Sequence, residues 1–220
     1  MTARNDPVMQ TDSTKFTLDV LDTATSTLVR LAAVLAGGTE SQVRSLLADA
    51  ARDVDPVWVE EVILQTYLFA GFPRALNGAR EWRRISGRSA PSFDEGEDYN
   101  ASTWTRRGEE TCATVYGPFY DRLRHNIREL HPSLDAWMIV EGYGKVLGRP
   151  QLDLARRELC VIAACAIARQ DRQLHSHLYG ALHAGVAPAV VSETLQRLSD
   201  LLDREDVARY AALWAKVQGK

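Results

Sequence analysis

The chain has 220 residues, 45% of them hydrophobic, with 26 basic and 29 acidic side chains and a net charge of −3. That is enough for one substantial core, or for two small helical units sharing one. A general nucleic-acid binder would carry a basic excess, which is absent, and no apolar run reaches the ~18 residues of a membrane span.

In chain order, residues 1–14 are polar and read as a disordered tail, with no signal-peptide character in Met1 to Gln10. Apolar residues then recur at three- and four-residue spacing in a chain rich in Ala, Leu, Arg and Glu. The pattern predicts helices near 17–36, 40–52, 56–70 and 73–87. The polar stretch from Ser86 to Ser102 reads as a linker, and the basic cluster Arg80, Arg83, Arg84 and Arg88 as a solvated face running into it. Further helices are predicted near 103–115, 117–130, 133–147, 153–168, 171–184, 188–202 and 204–217.

Local chemistry punctuates the pattern. Asp55-Pro56 and Pro188 suit first turns, Asp203 suits an N-cap and Gly185 a C-terminal cap. Gly71 and Pro73 break one helix and start another. Gly142-Tyr143-Gly144 is too short for a phosphate-cradling loop and reads as close helix packing.

A shift of 132 residues aligns the two ends of the chain without a gap. Leu28-Val29 falls on Cys160-Val161, Val54-Asp55-Pro56 on Val186-Ala187-Pro188, Glu61 on Glu193 and Trp82 on Trp214. The shared offset over about 55 positions reads as a degenerate tandem duplication, two helical units about a pseudo-twofold axis. The expected division is 15–88 for the first unit, 89–102 for the linker and 103–220 for the second.

Candidate chemistry centres on Glu158 and the cluster Gln170 to His177, which bracket the apolar run Cys160–Ala168. Buried ionisable groups mean either a structural network or a site. Gln170, Gln173 and His177 stand at i, i+3 and i+7 and are expected to share a face, with Glu158 reaching in from the preceding helix. A histidine can move protons and a carboxylate can fix its tautomer. The other reading is a Glu–His network that only locks two helices together.

A second cluster, Gln65 to Asn77, offers Tyr67, Phe69 and Phe72 as a pocket wall or as core, and Asn77 as an amide for a ligand. Metal binding is not expected, because His175-x-His177 on a helix cannot aim both rings at one ion. Cys112, Cys160 and Cys165 form no Cys-x-x-Cys pair and suit a reducing cytoplasm.

These clusters resemble the carboxymuconolactone decarboxylase family, which also includes the alkylhydroperoxidase D proteins. Tyr143-Gly144, Arg149-Pro150, Leu152-Asp153 and Arg157-Glu158-Leu159 are similar to the approach to the family's core helix pair. Gln173-Leu174, His177, Gly180-Ala181 and Gly185 are similar to its signature helix. In the first half, Glu61 to Gln65 through Gly71, Pro73 and Asn77 resembles the end of a family module. Trp104 to Gly108 through Val115-Tyr116-Gly117 resembles the start of a decarboxylase chain. The resemblance covers most of 55–87 and 104–200.

It implies an all-α helical bundle of the alkylhydroperoxidase D-like type, with no cofactor, assembled as a trimer or hexamer. It implies cofactor-free decarboxylation or isomerisation of a small unsaturated carboxylic acid or lactone, a carboxy-lyase if the protein is an enzyme. The alternative is a non-catalytic ligand-binding or assembly protein.

In that reading His177 and Glu158 are the catalytic pair. Gln170, Gln173, Tyr67, Phe72 and Asn77 contact the substrate, and Arg169 or Arg172 either attracts its charge or is simply solvated. Peroxidase members of the family carry a Cys-x-x-Cys where this chain has Gln170 and Gln173. Glutamine forms neither thiolate nor disulfide, so that chemistry is not expected. His177 and the 65–77 segment are expected to build one composite pocket per chain, or per chain interface.

Overall fold

Asp22 sets the first helix. Its side chain accepts from Thr25 N at 2.7 Å, so α1 runs Thr23–Gly37 rather than from residue 17. In the computed structural model, residues 16–94 and 100–219 are described. The tail expected at 1–14 and residues 95–99 of the expected linker lie outside them.

α2 (Glu40–Asp53) opens on a capping box in which Thr39 and Gln42 satisfy each other's backbone donors. α3 (Pro56–Ser86) merges the two helices expected on either side of Gly71, which sits at φ 75° and kinks the backbone ahead of Pro73. Then come α4 (Ala101–Tyr116), α5 (Tyr120–Leu130) and α6 (Pro132–Trp137). α6 continues as a π-helix over Met138–Leu147, where one regular helix was expected. α7 (Leu154–Ile167), α8 (Asp171–His183), α9 (Pro188–Arg197) and α10 (Arg204–Val217) complete the chain.

The fold is all-α. Among the described residues the β-structure is one isolated bridge between Leu18 and Val186. That bridge uses the residues just before α1, which explains why they are not helical. Gly185 makes it possible, because its φ is +92° and a Cβ there would overlap Phe16 O.

Two layers position the site. The first is the apolar helix α7, packed on α1, α3 and α8. Eleven of its residues, including Leu159, Val161, Ile162 and Ala163, are buried. A helix apolar all round must sit inside the protein, which is why Glu158 on α7 needs a partner.

The second layer is α4 laid against the π-helix. Gly108 and Gly144 face each other's helix so closely that a Cβ on either would overlap backbone atoms. Gly142, by contrast, faces open space. The close packing expected of this glycine pair is therefore made by Gly144 alone.

Helix bounds recur between the two ends of the chain. Pro56 and Pro188 both open helices, and the kink at Gly71 matches the break before α10 capped by Asp203. Trp82 donates its indole N–H to Glu60 at 3.2 Å, and Trp214 donates to Ser192 at 2.8 Å. Glu60 and Ser192 stand 132 residues apart, as do the two tryptophans.

Candidate functional site

Glu158 sits one turn into α7, and His177 sits in the middle of α8. The two antiparallel helices bring His177 Nδ1 to 2.8 Å from Glu158 Oε2. Glu158 is fully buried and His177 is 5% exposed. An ionised carboxylate only accepts, so Nδ1 carries the hydrogen and Nε2 is left to take or give a proton. Glu158 Oε1 is buried with no hydrogen-bond partner.

The surroundings keep this pair dry and placed. Gly180, one turn after His177, leaves the space that the carboxylate fills. Phe69, from α3, meets the His177 ring edge-on at 6.4 Å between centroids. Tyr143 of the π-helix meets Tyr116 edge-on at 6.3 Å. Burial pushes the Tyr143 phenol well above its ordinary value, with Tyr116 and the Glu158 charge adding to the rise. Burial likewise pushes Tyr116 up to about 12. Both stay neutral and able to donate. Irregular π turns recur at functional sites, and this one supplies Tyr143.

The remaining candidates are placed differently. Gln170 is the residue before α8, outside its regular turn, and is exposed, bonding its amide to Ala168 O at 3.2 Å. The face expected to join it to His177 therefore does not extend to it. Gln173 lies on α8 but is also exposed. Tyr67 and Phe72 stack at 4.5 Å across the Gly71 kink, with Phe72 61% exposed. Asn77 is exposed, accepts from Arg80, and lines a different cavity of about 200 Å³ among α1, α2 and α3. Of the 65–77 segment, Phe69 is the residue that reaches His177. Arg169 is tied to Asp203 at 2.7 Å and Asp206 at 2.8 Å.

The sequence reading did not identify the clamp beside the pair. Glu61 on α3 takes Arg157 Nη2 at 2.6 Å and Arg149 Nη2 at 2.8 Å, and Arg149 also reaches Asp94 at 2.8 Å. Arg157, Glu61 and Arg149 are all buried. Burial works against the charge on both arginines. Glu61 and Asp94 overcome it for Arg149, whose pKa is raised, but Arg157 stays lowered. Nearby, Gln65 donates to Arg157 O at 3.1 Å, which fixes α3 against the turn that carries Glu158. The signal was present in the motif Arg149 to Glu158 and in Glu61, but the partners lie 88 and 96 residues apart.

Residues 133–216 match the model of the Carboxymuconolactone decarboxylase family. This part of the chain is similar to that family. The match includes Tyr143, Glu158, His177 and Gly180, and so both members of the acid–base pair, whereas Phe69, Val115 and Tyr116 around it lie outside the matched residues. A curated relative, "Peroxisomal protein 2" of Saccharomyces cerevisiae, is 24% identical over 171 residues, covering 66% of this chain and 60% of the relative. The chain thus spans less than two thirds of that relative's length. Among the described residues no helix is long and apolar enough to cross a membrane.

Proposed function

We propose that this carboxymuconolactone decarboxylase-like protein performs cofactor-free acid–base chemistry on a small unsaturated carboxylic acid or lactone, by decarboxylation or isomerisation. The observation that carries the reading is the buried Glu158–His177 pair at 2.8 Å inside the segment that matches the family model. In such chemistry the electrons left at carbon flow into a conjugated carbonyl, and a proton is then delivered to carbon. His177 Nε2 is the group that moves that proton, and Glu158 is the positioning residue that holds the imidazole and steadies its charged form. The unpartnered Glu158 Oε1 leaves one acceptor for a hydroxyl or water of the bound molecule.

A peroxidase reading is disfavoured by the thiols themselves. Burial pushes Cys112, Cys160 and Cys165 each up to about 12, so none supplies a thiolate near neutral pH.

The test is an ultraviolet assay of muconolactone-type acids with the purified protein. Loss or migration of the conjugated absorbance, abolished in His177→Gln, supports the reading. No change across the panel, or turnover that His177→Gln leaves intact, would overturn it.

A second reading concerns assembly. Leu130, Leu134 and Trp137 are 71%, 46% and 61% exposed along the end of α5 and α6. Large apolar side chains exposed close together along the chain are candidates for a contact surface. We infer that the chain self-associates through this face, and the trimer or hexamer implied by the family resemblance is the expected stoichiometry. Light scattering on a Trp137→Glu variant tests it. A shift to monomer supports the face, whereas an unchanged mass excludes it.

The repeated helix bounds and the paired indole bonds support the further proposal of a degenerate tandem duplication. In it the second copy keeps the histidine, and the first supplies Phe69 and Glu61.

A further inference from the structure

A cavity of about 660 Å³ lies between α4, the start of α5 and the outer face of α8. It is separate from the Glu158–His177 pair. His177 does not line it, while Val115, which does, lies against Gly180 beside Glu158. Its volume falls within the range of small-molecule sites.

The wall is chemically specific. Tyr116, Phe119, Leu123 and Tyr179 provide flat apolar surface. Arg122 is the one Lys or Arg in the wall, no acidic residue lines it, and Arg122 makes no ion pair among the described residues. His183 also lines the cavity, and its Nδ1 lies 2.8 Å from Val115 O. A carbonyl cannot donate, so Nδ1 carries the hydrogen and the neutral ring keeps Nε2 as an acceptor. Gly117 seats that ring, with its Cβ position 3.2 Å from His183 Cε1. His175 is held edge-on against Tyr179 at 5.3 Å.

From this arrangement we propose a second small-molecule site, taking a planar acid that bears a hydroxyl. The carboxylate pairs with Arg122, the flat body lies between Tyr116 and Tyr179, and the hydroxyl donates to His183 Nε2. The site stands on its own geometry and does not depend on the chemistry assigned to His177. A guanidinium meeting a carboxylate is a charge-assisted contact, among the stronger hydrogen bonds available at a protein surface.

The probe is 4-hydroxybenzoate, titrated calorimetrically and followed by histidine ring resonances in nuclear magnetic resonance. Binding with a Kd below about 1 mM is expected. The His175 and His183 resonances should shift while that of His177 stays in place. Arg122→Gln, a change at an exposed position, should weaken binding about tenfold. Benzoate, which lacks the hydroxyl, should bind more weakly than 4-hydroxybenzoate. Absence of binding, equal affinity in Arg122→Gln, or a shift confined to His177 would each overturn the proposal. A failure of turnover at His177 would leave it standing.

Discussion

Gly180 lies directly against Glu158: any Cβ at position 180 would overlap the Oε2 atom that bonds His177. A glycine in a helix interior is unfavourable by roughly 1 kcal/mol against alanine, so the position has to be explained by what it makes room for. Val115 closes the other side of the same space. Gly180→Ala should therefore displace the carboxylate and lower stability by about 1–3 kcal/mol, despite the better helix former. Urea unfolding measures it. A stabilised Gly180→Ala would show that the space around the pair is loose.

Glu158→Gln keeps the volume and can still accept from His177 Nδ1, but it removes the charge that steadies a protonated imidazole. The fold should survive, and any turnover should fall by about 10²-fold or more. Full activity with a correctly folded Glu158→Gln would reduce Glu158 to a spacer.

The clamp around Glu61 predicts a stability effect without direct contact with His177. Glu61→Ala leaves Arg149 and Arg157 buried with one anion fewer and should cost about 3–5 kcal/mol. Arg157 suffers most, since its Nη1 already lacks a partner. Thermal unfolding of Glu61→Ala beside Glu193→Ala is the comparison. Glu193, 132 residues further along the chain, pairs with Arg197 on the surface, so its loss should be within about 0.5 kcal/mol.

The buried thiols and phenol predict the alkaline limb of stability. Cys112, Cys160, Cys165 and Tyr116 hold their protons more tightly folded than unfolded. A raised folded pKa means the unfolded chain releases protons first, so stability falls as pH rises from the ordinary thiol value of 9.0 towards about 12. Denaturant midpoints across that window should decline, and thiol reagents at pH 8 should label the cysteines only after unfolding. Rapid labelling of the native protein would contradict the burial.

Much of the helical layout was legible because its signals are local. Asp55-Pro56, Pro188, Asp203 and Gly185 fix ends by capping chemistry within a few residues. Gly71-x-Pro73 marks a bend whose cause is likewise local. Glu158 stood out because a carboxylate in an apolar run needs a partner, and His177 was within one helix hairpin of it.

What was not legible depends on contacts between distant residues. The Glu61–Arg149–Arg157 clamp joins elements far apart in sequence. Asn77 turns to the α1–α2 side because α3 carries it past the kink. Gln170 loses its place on the α8 face because the helix starts one residue later. The π turn that presents Tyr143 has nearly the same apolar spacing as an α-helix, so periodicity could not distinguish them.

The most direct test of the acid–base account is proton delivery to carbon. In deuterated water, the wild-type protein turning over a conjugated lactone acid should place deuterium at the product carbon, and His177→Gln should lower that rate by about 10²-fold or more. Product without solvent deuterium at that carbon, or an undiminished rate in a folded His177→Gln variant, would contradict the assignment of His177 as the proton carrier.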